Sequence, residues 1–168
     1  MTSSITNLPE TLKIRTLDNR VMEVTGKLIN ESKVLKQAFE MHDNSEEVGE
    51  MIVPVVSAGL QNALQLLQCF DLEKPYAPTT VSERKVFQEA NQAALDFLEK
   101  LPHGEMIDIA IVADGIDCER LIDICMIFIL IVSEENKTVE KRRKVFALRD
   151  DYTEEEEAEM RQRHEVKQ

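Results

Sequence analysis

The sequence predicts an α+β fold, with a small three-stranded sheet packed on helices and a two-helix C-terminal extension. Three observations carry this. Apolar residues alternate on both sides of Asp18-Asn19, the pattern of two strands joined by a tight turn. At Leu28 the apolar period switches from two to about 3.6, the helical repeat. After a nearly unbroken apolar stretch over 106–132, the chain becomes charged at Ser133 with too few residues left to build a second core.

Each element follows in order. Leu12, Ile14 and Leu17 approach the turn, and Val21 and Val24 leave it. Leu28, Ile29, Val34, Leu35, Ala38 and Phe39 then mark one amphipathic helix, with Glu31, Lys33, Lys36 and Gln37 on its solvent side. Residues 41–50 are polar and acidic and read as an exposed loop. The run MIVPVV over 51–56 reads as a third strand. Pro54 confines it to an edge or to its own end, because proline cannot donate a ladder hydrogen bond. From Ala58 to Phe70 the spacing is helical again, with Leu60, Ala63, Leu64 and Leu67 on one stripe, and Pro75 and Pro78 place a loop over 71–82.

Val86, Phe87, Ala90, Ala94, Phe97, Leu98 and Leu101 mark one long helix or two shorter ones, stopped by the PHG triplet at 102–104. Over 106–132 two buried helices are expected on either side of a turn at the DGID run, 114–117. In the tail, Thr138 is placed to cap a helix reaching Phe146. The spacing Thr153 to Glu156 is that of a capping box opening a last helix through Arg161. Residues 1–11 thus read as a flexible tail, 12–133 as the folded domain and 134–168 as the helical extension.

Composition narrows the function. Against 20 Lys and Arg stand 32 Asp and Glu, a net charge of −12. Such a surface repels nucleic-acid phosphates and anionic lipid, so neither nucleic acid nor membrane is expected as a partner. Cys69, Cys118 and Cys125 form no CxxC pair and read as buried or free thiols of a reducing compartment, the cytoplasm or nucleus. No secretory signal is visible at the N-terminus. The most apolar run, 124–132, is nine residues, against the roughly 18–20 that a bilayer-spanning helix needs.

Catalytic signatures are missing. The five glycines are too scattered for a phosphate cradle, and His42, His103 and His164 lack metal-ligand spacing. Cys118 and Cys125 have no neighbouring histidine to generate a thiolate and read as core. Asp114 and Asp117 flank Gly115 at the expected turn, where aspartate caps backbone. An enzymatic reading through Cys118 or Asp117 rests on isolated residues, so no enzyme activity, cofactor or metal is expected. The basic run KRRK at 141–144 is followed at once by the acidic 150–159 stretch, and reads as a solvated helix face. Val145, Phe146 and Leu148 are apolar groups with nothing nearby to cover them, and they call for a partner's helices.

The tail carries a more specific pattern. KTVEKRRKVF over 137–146, followed by DDYTEEEEA over 150–158, resembles the ending of the S-phase kinase-associated (Skp) adaptor family of SCF ubiquitin ligases. Upstream, ADGID at 113–117 with LID at 121–123, DFL at 96–98, and Asp18, Glu23, Val24, Ser32, Lys36 and Glu40 are similar to that family's segments. The resemblance spans about 12–161 and implies a BTB/POZ-type fold. It also implies a non-enzymatic adaptor that joins F-box substrate receptors to a cullin.

Position by position, the resemblance puts Ile116, Leu121, Ile124, Val145, Phe146, Leu148, Asp151, Tyr152 and Glu155 on the F-box side. It puts Ala113, Asp114 and Gly115 on the cullin side. The chain departs from the family there, since Asp114-Gly115 stands where the family has Asn-Tyr, removing an aromatic contact and adding a charge. Ala93 replaces a Trp, Val139 replaces a helix-opening Pro, and the sequence ends HEVKQ at 164–168 where the family carries Trp-Cys. An alternative expectation is a self-associating BTB-type scaffold, a homodimer that has lost cullin docking.

Overall fold

A computed structural model describes residues 4–41, 49–78 and 80–164. The hairpin forms as the alternation requires: β1 (Thr11–Arg15) pairs antiparallel with β2 (Val21–Thr25), Ile14 opposite Met22. Asn19 takes the left-handed conformation the turn needs, at φ 59°. β3 (Met51–Ile52) lies parallel to β1 with Met51 opposite Ile14, giving the order β2-β1-β3. β3 is an edge strand and ends before Pro54, for the reason the sequence supplies. Backbone pairing resumes around the proline through Val53 N to Arg15 O and Leu17 N to Val55 O, at 3.0 and 2.9 Å.

Period two sorts the sheet into faces. Met22, Ile14 and Met51 form an inward row, and Val21, Arg15 and Ile52 an outward one. The inward row packs on helices α1 (Leu28–Glu31), α2 (Lys33–Met41), α3 (Ser57–Leu67), α5 (Gln92–Lys100), α6 (His103–Gly115) and α7 (Glu119–Glu135), which share one core. α4 (Arg84–Ala90) follows a 3₁₀ turn at Val81–Glu83, and α8 (Val139–Val145) and α9 (Glu154–His164) complete the chain. Among the described residues no helix is long and apolar enough to cross a membrane.

Several expectations need correcting. The helix read from Leu28 to Phe39 is two, broken at Ser32, whose backbone is extended at φ −116° and ψ 119°. The buried Ser32 hydroxyl donates to the Ile116 carbonyl at 2.5 Å and accepts from Leu35 N at 3.1 Å, so one side chain caps α2 and ties it to the α6–α7 turn. Of the two readings of the 81–101 region, two shorter helices hold, divided at Asn91, but Val86 and Ala90 face solvent instead of the core. The PHG stop at 102–104 also opens α6, because Pro102 precedes the first helical residue. Residues expected to form a flexible tail are held from Ile5 onward. Asn30 donates to Ile5 O and accepts from Ile5 N, each at 2.9 Å, and a Cβ at Gly26 would lie 1.7 Å from Pro9 O. Of the acidic loop over 41–50, residues 42–48 lie outside the described set.

Candidate partner-docking faces

α6 and α7 form the centre of the molecule, and the surfaces able to receive a partner lie around them. Three of the residues expected on the F-box side do not qualify. Ile116, Leu121 and Ile124 are fully buried in the chain's own core. Ile116 sits under the Ser32 cap, and Leu121, Ile124 and Phe128 form the inward stripe of α7. They support the surface and are unavailable to it. The outward stripe of α7 is also apolar: Ile122 and Ile129 are half-buried, while Met126 is 52 % and Leu130 37 % exposed. On α6, Ile111 is 62 % exposed. Counting 3.6 residues from Leu121 separates the two stripes of α7, but both are apolar, so the sequence holds no signal that marks Met126 as the outward one.

α8 lies against the end of this pair. The Thr138 hydroxyl accepts from Lys141 N at 3.2 Å, the expected cap. The Arg142 guanidinium donates to Asn136 O at 2.8 Å and Ser133 O at 3.0 Å, fastening α8 to the C-terminal end of α7. Phe146 reaches the first residue of α6, its ring 6.4 Å from that of His103. Val145 and Phe146 are therefore half-buried against the core. Leu148 and Tyr152 remain 56 % and 51 % exposed, with Asp151 and Glu155 exposed beside them. A cleft of about 400 Å³ opens between α8 and the following chain, floored by Ala147 and Leu148 and rimmed by Glu140, Arg143, Lys144 and Asp150. Thr153 and Glu156 make the anticipated capping box, and the Thr153 backbone and hydroxyl hold the Glu156 carboxyl below its usual range.

The other end of α6 offers a second surface. Ala113 is buried, Asp114 is exposed, and Gly115 packs on the start of α3's approach, where an added Cβ would lie 2.7 Å from Val55 Cγ1. This contact explains why a glycine occupies the position. Around it stand exposed apolar groups that sequence reasoning did not single out: Leu17, Val56 and the outward-facing Ile52, which is 76 % exposed. Backbone pairing of Leu17 with Val55 makes Leu17 and Val56 neighbours of the Gly115 contact, while Ile52 lies on the outward face of the sheet, three residues before Val55. His103 and Gly115 are the two ends of a 13-residue helix, so the two surfaces are about 20 Å apart along its axis.

Burial pushes the Cys118 and Cys125 thiols up to about 12, far from the thiolate a nucleophile requires. Among the described residues no group of three or more His, Cys, Asp or Glu is placed to hold a metal. A cavity of about 920 Å³ runs between the N-terminal segment, α2 and the loop at 72–76. Its cations are engaged: Lys33 pairs with Glu119 at 2.5 Å, Lys27 with Glu73, and Arg120 with Glu31 at 2.8 Å.

Comparison with known proteins agrees with this geometry. Residues 131–167 match the family described as Skp1 family, dimerisation domain. The chain is also 24 % identical over 160 residues to an S-phase kinase-associated protein 1 homolog from Tetrahymena thermophila, covering 90 % of this chain and 90 % of that one. Its tail thus resembles the Skp1 family and most of its length resembles one relative of that name, alongside a mixed fold of three strands and surrounding helices.

Proposed function

We propose that the protein is an adaptor subunit of an SCF-type cullin-RING ubiquitin ligase, coupling F-box substrate receptors to a cullin without chemistry of its own. The observation that carries this reading is the pair of unclosed apolar surfaces at opposite ends of α6. One helix sets their separation, as a coupler requires. F-box helices lie on Ile111, Met126 and Leu130 and against Val145, Phe146, Leu148 and Tyr152. Apolar anchors supply the affinity there, and Asp151 and Glu155 form a polar rim. The cullin lies on Leu17, Ile52 and Val56 beside Asp114 and Gly115. These complexes form in the cytoplasm and nucleus.

Co-purification with a panel of F-box domains and cullin N-terminal domains tests the proposal. Wild type retains both partners, while Phe146→Ala weakens F-box binding by about 2 kcal/mol, some thirtyfold. Failure of wild type to retain any F-box domain defeats it. Self-association is a second reading, favoured by the dimerisation description of the family matched at 131–167. It shares the tail surface, so an F-box domain added in excess converts a dimer to a one-to-one complex in light scattering. A strict monomer at high concentration removes that reading.

A further inference from the structure

α9 cannot be held in place by hydrophobic burial. Its apolar side chains are Ala158 and Met160, and every described side chain on it except Glu157 is exposed. Ion pairs hold it instead. Arg143 on α8 reaches Asp150 in the connection at 3.1 Å and Glu157 on α9, and Arg161 on α9 returns to Glu140 on α8 at 2.9 Å and to Glu157 at 3.6 Å. Arg143 is the most enclosed member, 19 % exposed against 23 % for Glu157, and the others are far more open. The backbone turns over the same residue, for Ala147 is left-handed at φ 49° and Leu148 N donates to Arg143 O at 2.9 Å. Leu148 and Tyr152 lie on either side of Asp150, within the segment that Arg143 pins.

We propose that Arg143 is a positioning residue that assembles the docking surface before a partner arrives, and that it thereby governs how fast partner helices are captured. The inference rests on the docking role proposed above. Exposed ion pairs are individually weak and screened by salt, so the assembled tail predominates without being locked. Removing Arg143 reduces the fraction of molecules ready to bind. A reduced competent fraction lowers the apparent association rate and leaves dissociation of the formed complex unchanged. A contact residue does the opposite, acting mainly on dissociation.

Association and dissociation of an F-box domain with the full chain separate these roles. Arg143→Gln lowers the association rate about five- to tenfold at unchanged dissociation rate, whereas Phe146→Ala chiefly speeds dissociation. Glu157→Gln acts like Arg143→Gln, the double variant is no worse than Arg143→Gln alone, and Arg143→Lys restores part of the rate. High salt slows capture by wild type and not by Arg143→Gln. In the free chain, backbone amides over 147–160 exchange faster in Arg143→Gln than in wild type. Wild-type association kinetics in Arg143→Gln, or a faster dissociation in its place, overturns the proposal, as does unchanged amide exchange. If no F-box domain binds wild type, the docking reading fails, and the exchange measurement still decides whether Arg143 orders the tail.

Discussion

Asp18 is the residue on which the hairpin and α3 depend together. Its carboxylate accepts from Thr16 Oγ1 at 2.7 Å and from Ser57 N at 2.9 Å, and the Ser57 hydroxyl makes a further bond. Those bonds, the Ser57 hydroxyl's first, hold the carboxyl far below the ordinary aspartate range. A depressed folded value means that the contribution is complete above the unfolded value of about 3.9 and drains away as pH falls below it. Thermal melts of wild type and Asp18→Asn accordingly differ most at neutral pH and converge in strong acid. A constant gap across that range contradicts the assignment. Arg120 belongs to the same scale. It is buried with Glu31, also donates to Lys74 O, and lies over the Phe70 and Tyr76 rings at 5.5 and 5.2 Å. Arg120→Ala leaves Glu31 buried and unpaired, at a cost of about 3–5 kcal/mol readable by urea denaturation.

Among the elements, α6 meets β3's continuation at the Gly115–Val55 contact. Valine branches at Cβ and has no flexible end to swing aside, so Gly115→Ala costs about 1–3 kcal/mol through overpacking. Most of that returns when Val55→Ala is added. Denaturant midpoints of the two single variants and the double one check this. The same contact bears on the family's Asn-Tyr at this place, because a ring on residue 115 has no room unless the 54–56 segment moves. Where a helix or strand has a strong one-sided pattern, the sequence was readable: the hairpin, the edge position imposed by Pro54, and the caps at Thr138 and Thr153 all appear as expected. The break at Ser32 was not, because it interrupts an otherwise continuous apolar pattern, and the one at Asn91 was left open between one helix and two. Assignment of Leu121 and Ile124 to the surface failed for another physical reason. α7 is apolar on both faces, and a helix without a polar side gives no periodicity from which to tell inside from outside. Ion pairs such as Arg120–Glu31 join residues 89 positions apart and leave no local trace.

At the scale of the molecule, the two surfaces are independent if α6 is a rigid rod. Ile52→Asp then abolishes cullin retention and leaves F-box affinity within about twofold, and Met126→Asp does the reverse. A ternary pull-down reads both at once, and loss of both partners in either variant speaks against separate faces. The candidate docking residues were partly visible in the sequence as apolar groups in a charged tail. Leu17, Ile52 and Val56 were not, since their exposure follows from which side of a three-stranded sheet the helices cover.

The chain contains no tryptophan and only two tyrosines, placed in opposite circumstances. Tyr76 hydrogen-bonds the Asp123 carboxylate beneath the Arg120 guanidinium, while Tyr152 stands open at the tail. A phenol bound to a carboxylate is a poor emitter, so Tyr152 dominates the intrinsic fluorescence. The molecule therefore carries its own optical reporter at the site where a guest would land, and a visiting indole would announce itself by draining that light.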